Sequence, residues 1–309
     1  MRLLVTGVSG YVGSLLAGRM IAEGHDVRGF ARSPERARVP GLDLRIGDAV
    51  TGEGLTAAMD GVDVAYFLIH AMESAGPGAG RFSDREAEAA WRFGEAAADA
   101  GVARIVYLGG PLPDGDPSEH LKSRLTVERA LLAAVPDSVA LRASIVIGAR
   151  SRSFALLVRL VERLRVLVLP AWCSHRTAPI DERDVIAMLA AAADARFADG
   201  EDGGHVLDAT GPDVISYGEL VQRIAELMLV SRGAINLPVS FIPVASVVTA
   251  VLTGEDPALV SPLMESLEAD LLPNGRSAAQ ALSVRLHSLD AAIEHALGDW
   301  ERTGRLAAR

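Results

Sequence analysis

The amino-acid sequence predicts an α/β fold in which a doubly wound parallel sheet is followed by a smaller, mostly helical lobe. In the first half of the chain, short apolar runs alternate with helical patterns. These runs are continuous rather than apolar at every second position, which is typical of strands buried on both faces of a parallel sheet. Near residue 150 the rhythm changes to helical patterns separated by prolines. Alternating strands and helices imply a parallel sheet with right-handed crossovers.

Six strands and four helices are predicted within residues 1–150, which we assign to one domain. Gly24, Gly61 and Gly101 each follow a helical pattern, where a left-handed C-terminal cap is favoured. The predicted strands are 3–6, 26–31, 42–46, 62–68, 104–108 and 138–142, and the predicted helices are 11–24, 52–60, 82–100 and 118–135.

Residues 151–309 are predicted to form a substrate lobe on the side of the sheet where its strands end, because open α/β sheets bind their ligands there. Part of 175–210 is expected to return to the sheet, through strand-like pieces at 177–180 and 205–209. The predicted helices of the lobe are 151–165, 182–196, 216–230, 240–253, 257–271 and 288–302.

The amino-acid composition indicates which binding partners and which cell compartment to expect. The formal net charge of −10 disfavours binding to a nucleic-acid backbone. Cys173 is the single cysteine, so no intrachain disulfide can form, and a reducing cytoplasm is expected. The longest apolar run, 237–252, is shorter than the roughly 20 residues of a membrane span and predicts no transmembrane segment. A buried helix, a pocket lining and shallow membrane contact remain open for it, as does the oligomeric state.

A glycine-rich loop is the strongest motif of the sequence. Gly7, Gly10 and Gly13 follow the first predicted strand and open the first predicted helix. Glycines in this context permit a tight turn, close approach of a pyrophosphate and close packing of helix on strand, while the helix N-terminus attracts the anion. A ligand-free glycine turn is the alternative. The predicted cofactor contacts of this segment are Thr6, Gly7, Ser9, Gly10, Tyr11, Val12 and Gly13.

The charge of the residue that follows the second predicted strand indicates which dinucleotide, NAD(H) or NADP(H), the protein prefers. NAD-binding domains usually carry an acid there, which holds the ribose 2′-hydroxyl. This sequence instead has Arg32 followed by Ser33. A guanidinium can pair with a 2′-phosphate, so NADP(H) is predicted over NAD(H).

The spacing G-x-x-G-x-x-G resembles that of the short-chain dehydrogenase/reductase superfamily, whose fold is of the Rossmann type. Within it the sequence is most similar to the atypical, NmrA-like NAD(P)-binding proteins, in a bacterial reductase-like subgroup. Members of this group include reductases, epimerase-like proteins and redox sensors that bind NADP(H) without turnover. The segments that carry the resemblance are 7–13, 66–72, 120–124, 141–148, 176–180, 210–212, 216–217 and 270–272.

This resemblance implies further cofactor contacts at the ends of later strands. It places Asp48 beside the adenine edge, although a plain turn residue would look the same. The end of the fourth strand, including His70, would run under the ribose and nicotinamide. The further contacts are Ala49, Leu68, Ile69, His70, Leu108, Gly109 and Arg124.

The resemblance also shows which catalytic residues the sequence lacks. Ordinary members have a serine after the fifth strand, where this chain has Gly109, and a Tyr-x-x-x-Lys set on the next helix. Counting back from Glu128 puts Arg124 at the lysine and His120 at the tyrosine. Arginine can hold ribose hydroxyls but is a poor proton source, so His120 or His70 is the candidate general acid. Either histidine could instead be structural.

The segments that are predicted to face the substrate are largely apolar. Ser144 follows the sixth strand, and Trp172 lies in the apolar stretch 166–173, so both are candidate substrate contacts or simply core residues. The leading hypothesis is an NADP(H)-dependent reductase of a small apolar carbonyl, enone or quinone-like compound, without a metal. The alternatives are a non-catalytic NADP(H) redox sensor and a quinone- or lipid-handling scaffold that keeps the nucleotide for structure.

Overall fold

The computed structural model describes residues 1–69, 82–197, 204–237 and 266–304. Strands and helices alternate in the first half as the sequence predicts. Most boundaries lie within two residues of the predicted ones, whereas α2 is shorter. These elements are β1 (Arg2–Thr6), α1 (Tyr11–Ala22), β2 (Asp26–Ala31), β3 (Asp43–Ile46), α2 (Leu55–Met59), β4 (Val64–Phe67), α3 (Phe82–Asp99), β5 (Arg104–Gly109), α4 (Glu119–Ala134) and β6 (Val139–Ala143).

The second half combines helices with short strands. Side-chain caps fix several helix starts; Ser216, for example, forms a reciprocal capping box with Glu219. The elements are β7 (Val146–Ile147), α5 (Arg152–Arg163), β8 (Val166–Leu169), β9 (Arg176–Thr177), β10 (Ile180–Asp181), α6 (Glu182–Ala191), β11 (His205–Ala209), β12 (Ile215–Ser216), α7 (Tyr217–Leu227), β13 (Gly233–Asn236), α8 (Ala278–Ala281) and α9 (Leu289–Thr303).

Seven strands form one parallel sheet in the order β11-β6-β5-β4-β1-β2-β3. The chain leaves β1 toward β2 on one side and returns on the other side as β4. This reversal of strand order between β1 and β4 is the switch point at which doubly wound sheets bind ligands. The predicted fold class, a Rossmann-type α/β sheet, is confirmed.

Apolar side chains cover both faces of the sheet. On one face Leu3 and Val5 pack with residues of α1 and α6, and the hydroxyl of Tyr66 donates to the carbonyl of Leu189 on α6. On the other face Leu4 and Phe67 pack with residues of α2, α3 and α4. Burial on both faces is the physical reason for the continuous apolar runs in the sequence.

Only one of the two strand-like pieces at 175–210 joins the large sheet. β11 pairs with β6, as predicted for 205–209. The piece at 177–180 instead contributes to β9 and β10, which pair with β12 and β7. The expectation that it returns to the large sheet was therefore wrong, because each pairing is only two residues long and involves the lobe.

The lobe has its own core, in which Phe154, Trp172 and Tyr217 are buried. β8 and β13 form a small parallel sheet that the sequence did not predict. All four residues of β13 are exposed, so this strand leaves no apolar pattern. The predicted helix at 240–253 lies outside the described residues, as does most of the one at 257–271. Among the described helices, none is both long and apolar enough to cross a bilayer.

Candidate dinucleotide-binding site

The glycine loop between β1 and α1 is held in shape by close backbone contacts. Gly7 has a φ of +65°, and a Cβ added to it would lie 2.5 Å from the carbonyl oxygen of Leu68. A Cβ on Gly13 would lie 2.3 Å from the carbonyl oxygen of Gly7. Only glycine fits either position without a backbone shift, which is the reason for their spacing.

The loop presents backbone donors at the start of α1. The amide of Gly10 donates to the carbonyl of Gly7 over 2.8 Å, and the first bond of the helix runs from the amide of Ser14 to the carbonyl of Gly10 over 3.1 Å. The amides of Tyr11, Val12 and Gly13 precede that bond and lack an intrahelical acceptor. Together with the helix dipole they favour an anion at this point, so the loop fits the pyrophosphate of a dinucleotide.

Thr6 holds the ends of β1 and β4 together. Its buried hydroxyl donates to the carbonyl of Tyr66 over 2.9 Å and accepts from the amide of Leu68 over 3.2 Å. The Thr6 side chain is therefore used by the protein itself, and it fixes the edge of the crevice. Leu68 and Ile69 are half-buried directly after β4, and His70 lies outside the described residues.

The predicted adenosine end lies where β2 and β3 finish side by side. The amide of Gly47 donates to the carbonyl of Ala31 over 3.1 Å, so the exposed Arg32 and the turn at Asp48 follow neighbouring strand ends. Asp48 Oδ1 accepts from the amide of Val50 over 2.8 Å, while Ala49 is buried and the Ser33 hydroxyl donates to Glu35. The structure thus brings Arg32 and Asp48 to one edge, and Asp48 also shapes its own turn.

At the end of β5 the charged groups are paired with each other, in what we call the Arg124–Glu86 corner. The Arg124 guanidinium donates to the carbonyl of Leu108, lies 3.8 Å from the Glu86 carboxylate, and stacks 5.0 Å from the centre of the Tyr107 ring. Glu86 is 2% exposed and accepts from the Ser123 hydroxyl over 3.0 Å. The sequence reasoning missed Glu86, because it lies on α3, 38 positions before Arg124.

Gly109 and His120 are the residues that the sequence pattern aligns with the family's catalytic serine and tyrosine. A Cβ on Gly109 would lie 2.9 Å from the Tyr107 ring, so this backbone also has little room for a serine. Ser118 caps α4 by accepting from the amide of Leu121, which places the half-buried His120 in the first helical turn. His120 and Arg124 are one turn apart on the same helix.

Both residues that the sequence predicts to contact the substrate, Ser144 and Trp172, are buried in packing contacts. The Ser144 hydroxyl is buried and shares a hydrogen bond of 2.9 Å with Thr177. Trp172 is 7% exposed and packs edge-on against Tyr217 in the core of the lobe. Both residues thus contribute to the protein core, and a contact with substrate stays a prediction for each.

A cavity of about 260 Å³ lies beside the start of α4. Segments distant in sequence form its walls, so no local spacing could have revealed it. The lining residues are Pro113, Asp116, Ser118, Leu121, Glu268, Ala269 and Leu271.

Comparison with known proteins agrees with this geometry. Residues 7–135 match the family model described as NAD(P)H-binding. These residues, less than half of the chain, resemble that family, and the chain has the short-chain dehydrogenase/reductase fold. A short-chain dehydrogenase/reductase superfamily protein from Agrobacterium tumefaciens, solved with bound NAD, superposes with a TM-score of 0.67 at 18% identity over 98% of each chain. UDP-glucose 4-epimerase from Thermotoga maritima, solved with UDP-glucose, gives 0.73 at 13% identity over 98% of this chain and 99% of that one.

Curated relatives match over shorter stretches. A 3-beta-hydroxysteroid dehydrogenase from Mycolicibacterium neoaurum is 39% identical over 66 residues, which are 21% of this chain and 18% of the relative. A 3 beta-hydroxysteroid dehydrogenase/Delta 5-->4-isomerase from Mycobacterium tuberculosis is 33% identical over 113 residues, which are 34% of this chain and 30% of the relative. The resemblance to short-chain dehydrogenases/reductases is thereby confirmed, while the NmrA-like subtype stays a prediction.

Proposed function

We propose that this NAD(P)H-binding protein is an NADP(H)-dependent reductase of a small apolar carbonyl, enone or quinone-like compound, acting in the cytoplasm as an NmrA-like member of its superfamily. The observation that carries the proposal is the glycine loop at the switch point of the sheet, where three backbone amides lack an intrahelical acceptor and Arg32 follows the neighbouring strand. NAD(H) is the less favoured cofactor.

The preference for the phosphorylated dinucleotide rests on the edge formed by β2 and β3. Arg32 is exposed and directly follows β2, where an acid would repel a 2′-phosphate and a guanidinium attracts it. Asp48 follows β3 at the same edge and can accept a hydrogen bond from the adenine amino group. Both contacts are consistent with NADP(H).

An apolar substrate is supported by the cavity at the start of α4. Leu121, Leu271 and Pro113 supply apolar walls close to the helix turn that carries His120. The names of the two partial relatives also contain an apolar alcohol, a hydroxysteroid. We therefore place the reacting carbonyl between this cavity and the end of β5.

In this proposal the nicotinamide supplies the hydride, and the protein must supply one proton to the resulting oxyanion. His120 is the candidate donor among the described residues, because it occupies the position of the family tyrosine and imidazole exchanges protons near neutral pH. Arg124 contributes a fixed positive charge beside the Leu108 carbonyl rather than a proton. His70, the other candidate, lies outside the described residues.

A second function, a non-catalytic NADP(H) redox sensor, is favoured by one observation. Arg124 is already paired with Glu86 and Leu108, and Gly109 has no hydroxyl. Because Arg124 bonds with groups of the protein itself, the arrangement of this corner does not depend on a bound substrate. A quinone- or lipid-handling scaffold remains the third candidate.

Binding is tested by titrating the protein with NADPH and NADH and following cofactor fluorescence. We expect tighter binding of NADPH, and Arg32→Asp should weaken it by about 10- to 100-fold with little change for NADH. Arg129→Asp, an equal charge change on the exposed side of α4, is the matched control. Equal losses for both variants would remove Arg32 from the 2′-phosphate, and no binding of either dinucleotide would refute the proposal.

Turnover separates the enzyme from the sensor. The protein with NADPH is offered quinones, enones, steroid ketones and UDP-glucose, and loss of reduced cofactor is followed by absorbance. Oxidation with an apolar carbonyl supports the reductase, and His120→Ala should then slow it by about 100-fold or more. Tight NADPH binding without turnover on any compound favours the sensor.

A further inference from the structure

A group of metal-ligating side chains lies between α6 and α9, and the proposed function does not use it. Glu182 opens α6, and His295 and Asp299 lie one turn apart on α9. The Nε2 atom of His295 is 3.5 Å from Glu182 Oε1 and 3.6 Å from Asp299 Oδ2. One ligand atom from each residue lies within 4.8 Å of the other two. We call these three residues the α6–α9 cluster.

Local sequence explains why the three side chains meet. Residues four apart share one face of a helix, so His295 and Asp299 project together. The opposite face of α9 carries Ile293 and Leu297, which are buried in the core of the lobe. This packing holds α9 in place and presents the polar pair toward the start of α6.

The two neighbouring arginines each form an ion pair, Arg183 outside the cluster and Arg302 with Asp299. The guanidinium of Arg183 pairs with Asp181 at 2.6 Å, and Asp181 also caps α6 by accepting from the Arg183 amide over 2.7 Å. Arg302 pairs with Asp299 Oδ1, and Oδ2 of the same carboxylate lies 3.6 Å from His295 Nε2. One ligand atom of each clustered residue thus lies close to those of the other two.

A second, independent observation points to a ligand there. The Glu182 residue is only 9% exposed, yet within the described part of the chain no donor forms a hydrogen bond with its carboxylate. The Tyr11 hydroxyl is also buried and, among the described residues, lacks a hydrogen-bond partner. The Tyr11 hydroxyl lies beside the second oxygen of this carboxylate, because a Cβ on Gly148 would lie 1.9 Å from the Tyr11 hydroxyl and 2.2 Å from Glu182 Oε2.

A buried carboxylate without a donor is costly, and a bound cation removes that cost. Imidazole and carboxylate are both groups that bind metal ions once they are deprotonated.

We infer that Glu182, His295 and Asp299 bind one divalent transition-metal ion of the Zn²⁺ class. One imidazole and two carboxylates suit Zn²⁺ and similar ions better than Mg²⁺ or Ca²⁺, which prefer oxygen ligands alone. The ion joins α9 of the lobe to α6 on the sheet, next to Tyr11 at the start of the glycine-loop helix. It fixes the lobe against the dinucleotide domain and takes no part in hydride transfer.

The inference is tested on full-length protein that has been treated with a chelator and dialysed. Zn²⁺ binding is measured by calorimetry, and Co²⁺ is used as a probe because its visible bands report imidazole and carboxylate ligands. We expect one strong site, a rise in melting temperature with Zn²⁺, and much weaker binding of Mg²⁺. His295→Gln and Glu182→Gln should each lower Zn²⁺ affinity by at least about 100-fold, since even indirect ligand partners contribute 10- to 100-fold.

The matched control is His205→Gln, because His205 also faces a carboxylate, Asp137, at 3.6 Å but outside the cluster. It should keep the affinity and the Co²⁺ bands of the unchanged protein. Asp299→Asn, at the more exposed end of the cluster, serves if Glu182→Gln fails to fold. Equal effects of the His295 and His205 substitutions, Co²⁺ bands absent from the unchanged protein, or equal affinity for Mg²⁺ would each overturn the inference. These readouts do not depend on dinucleotide binding or turnover.

Discussion

The glycine loop and the Arg124–Glu86 corner lie at neighbouring strand ends but satisfy their polar groups in opposite ways. At the loop, the first amides of α1 have no acceptor within the helix, and close contacts around Gly7 and Gly13 hold them in place. At the corner, the Arg124 guanidinium and the buried Glu86 carboxylate form an ion pair. Hydrogen-bond donors without an acceptor in the helix are available to a ligand, whereas donors that bond within the protein stabilise its structure. This difference favours a dinucleotide-binding role for the glycine loop and a structural role for the corner.

Breaking the corner should have the largest effect on stability. Arg124→Met leaves the Glu86 carboxylate buried beside an apolar side chain and also removes the donor to the Leu108 carbonyl. We expect the free energy of unfolding to fall by about 3–5 kcal/mol, as is typical when one partner of a buried ion pair is lost. Chemical denaturation measures this change.

The double variant Glu86→Gln/Arg124→Met sharpens that test. Because the buried charge is gone, it should lose less stability than the sum of the two single variants. Arg129→Met, on the exposed side of the same helix, should change stability by no more than about 0.5 kcal/mol. Additive effects of the two substitutions would contradict a corner held by the pair.

Filling the glycine loop should have the second largest effect. Gly13→Ala puts a methyl group 2.3 Å from the Gly7 carbonyl oxygen, so the backbone of the loop must move. We expect a loss of about 1–3 kcal/mol in stability and at least a tenfold loss of NADPH affinity, because the three amides lose their alignment. Denaturation and fluorescence titration measure the two quantities.

Gly18→Ala is the control on the same helix. A Cβ there meets no atom within 4 Å, and alanine is favoured over glycine in helices by about 1 kcal/mol. This variant should be as stable as the unchanged protein or more stable, with the same NADPH affinity. If Gly13→Ala also kept full affinity, the role of the loop amides in binding would be refuted.

The sheet and the loop could be predicted from sequence because their signals are local. Continuous apolar runs located β1–β6, and glycine spacing located the turn before α1. Contacts that bring together distant segments left no such signal: Glu86 contacts Arg124 from another helix, and Ser144 forms a hydrogen bond with Thr177. β13 is exposed along its whole length and could not be recognised as a strand.

The smallest effect concerns Tyr107, whose phenol lies beside Arg124 much as the phenol of the missing Tyr-x-x-x-Lys set would lie beside its lysine. Its hydroxyl donates to the Arg124 carbonyl, and burial raises its pKa although the Arg124 charge lowers it in part. The folded phenol therefore stays protonated when an unfolded one, with a pKa of about 10, ionises. Because the unfolded state binds fewer protons above that pH, stability should fall there as pH rises. Comparing the ultraviolet titration of the protein with that of Tyr107→Phe should show no loss of phenolate signal below pH 11. A clear loss near neutral pH would instead make Tyr107 a tuned acid and turn the corner into a catalytic site.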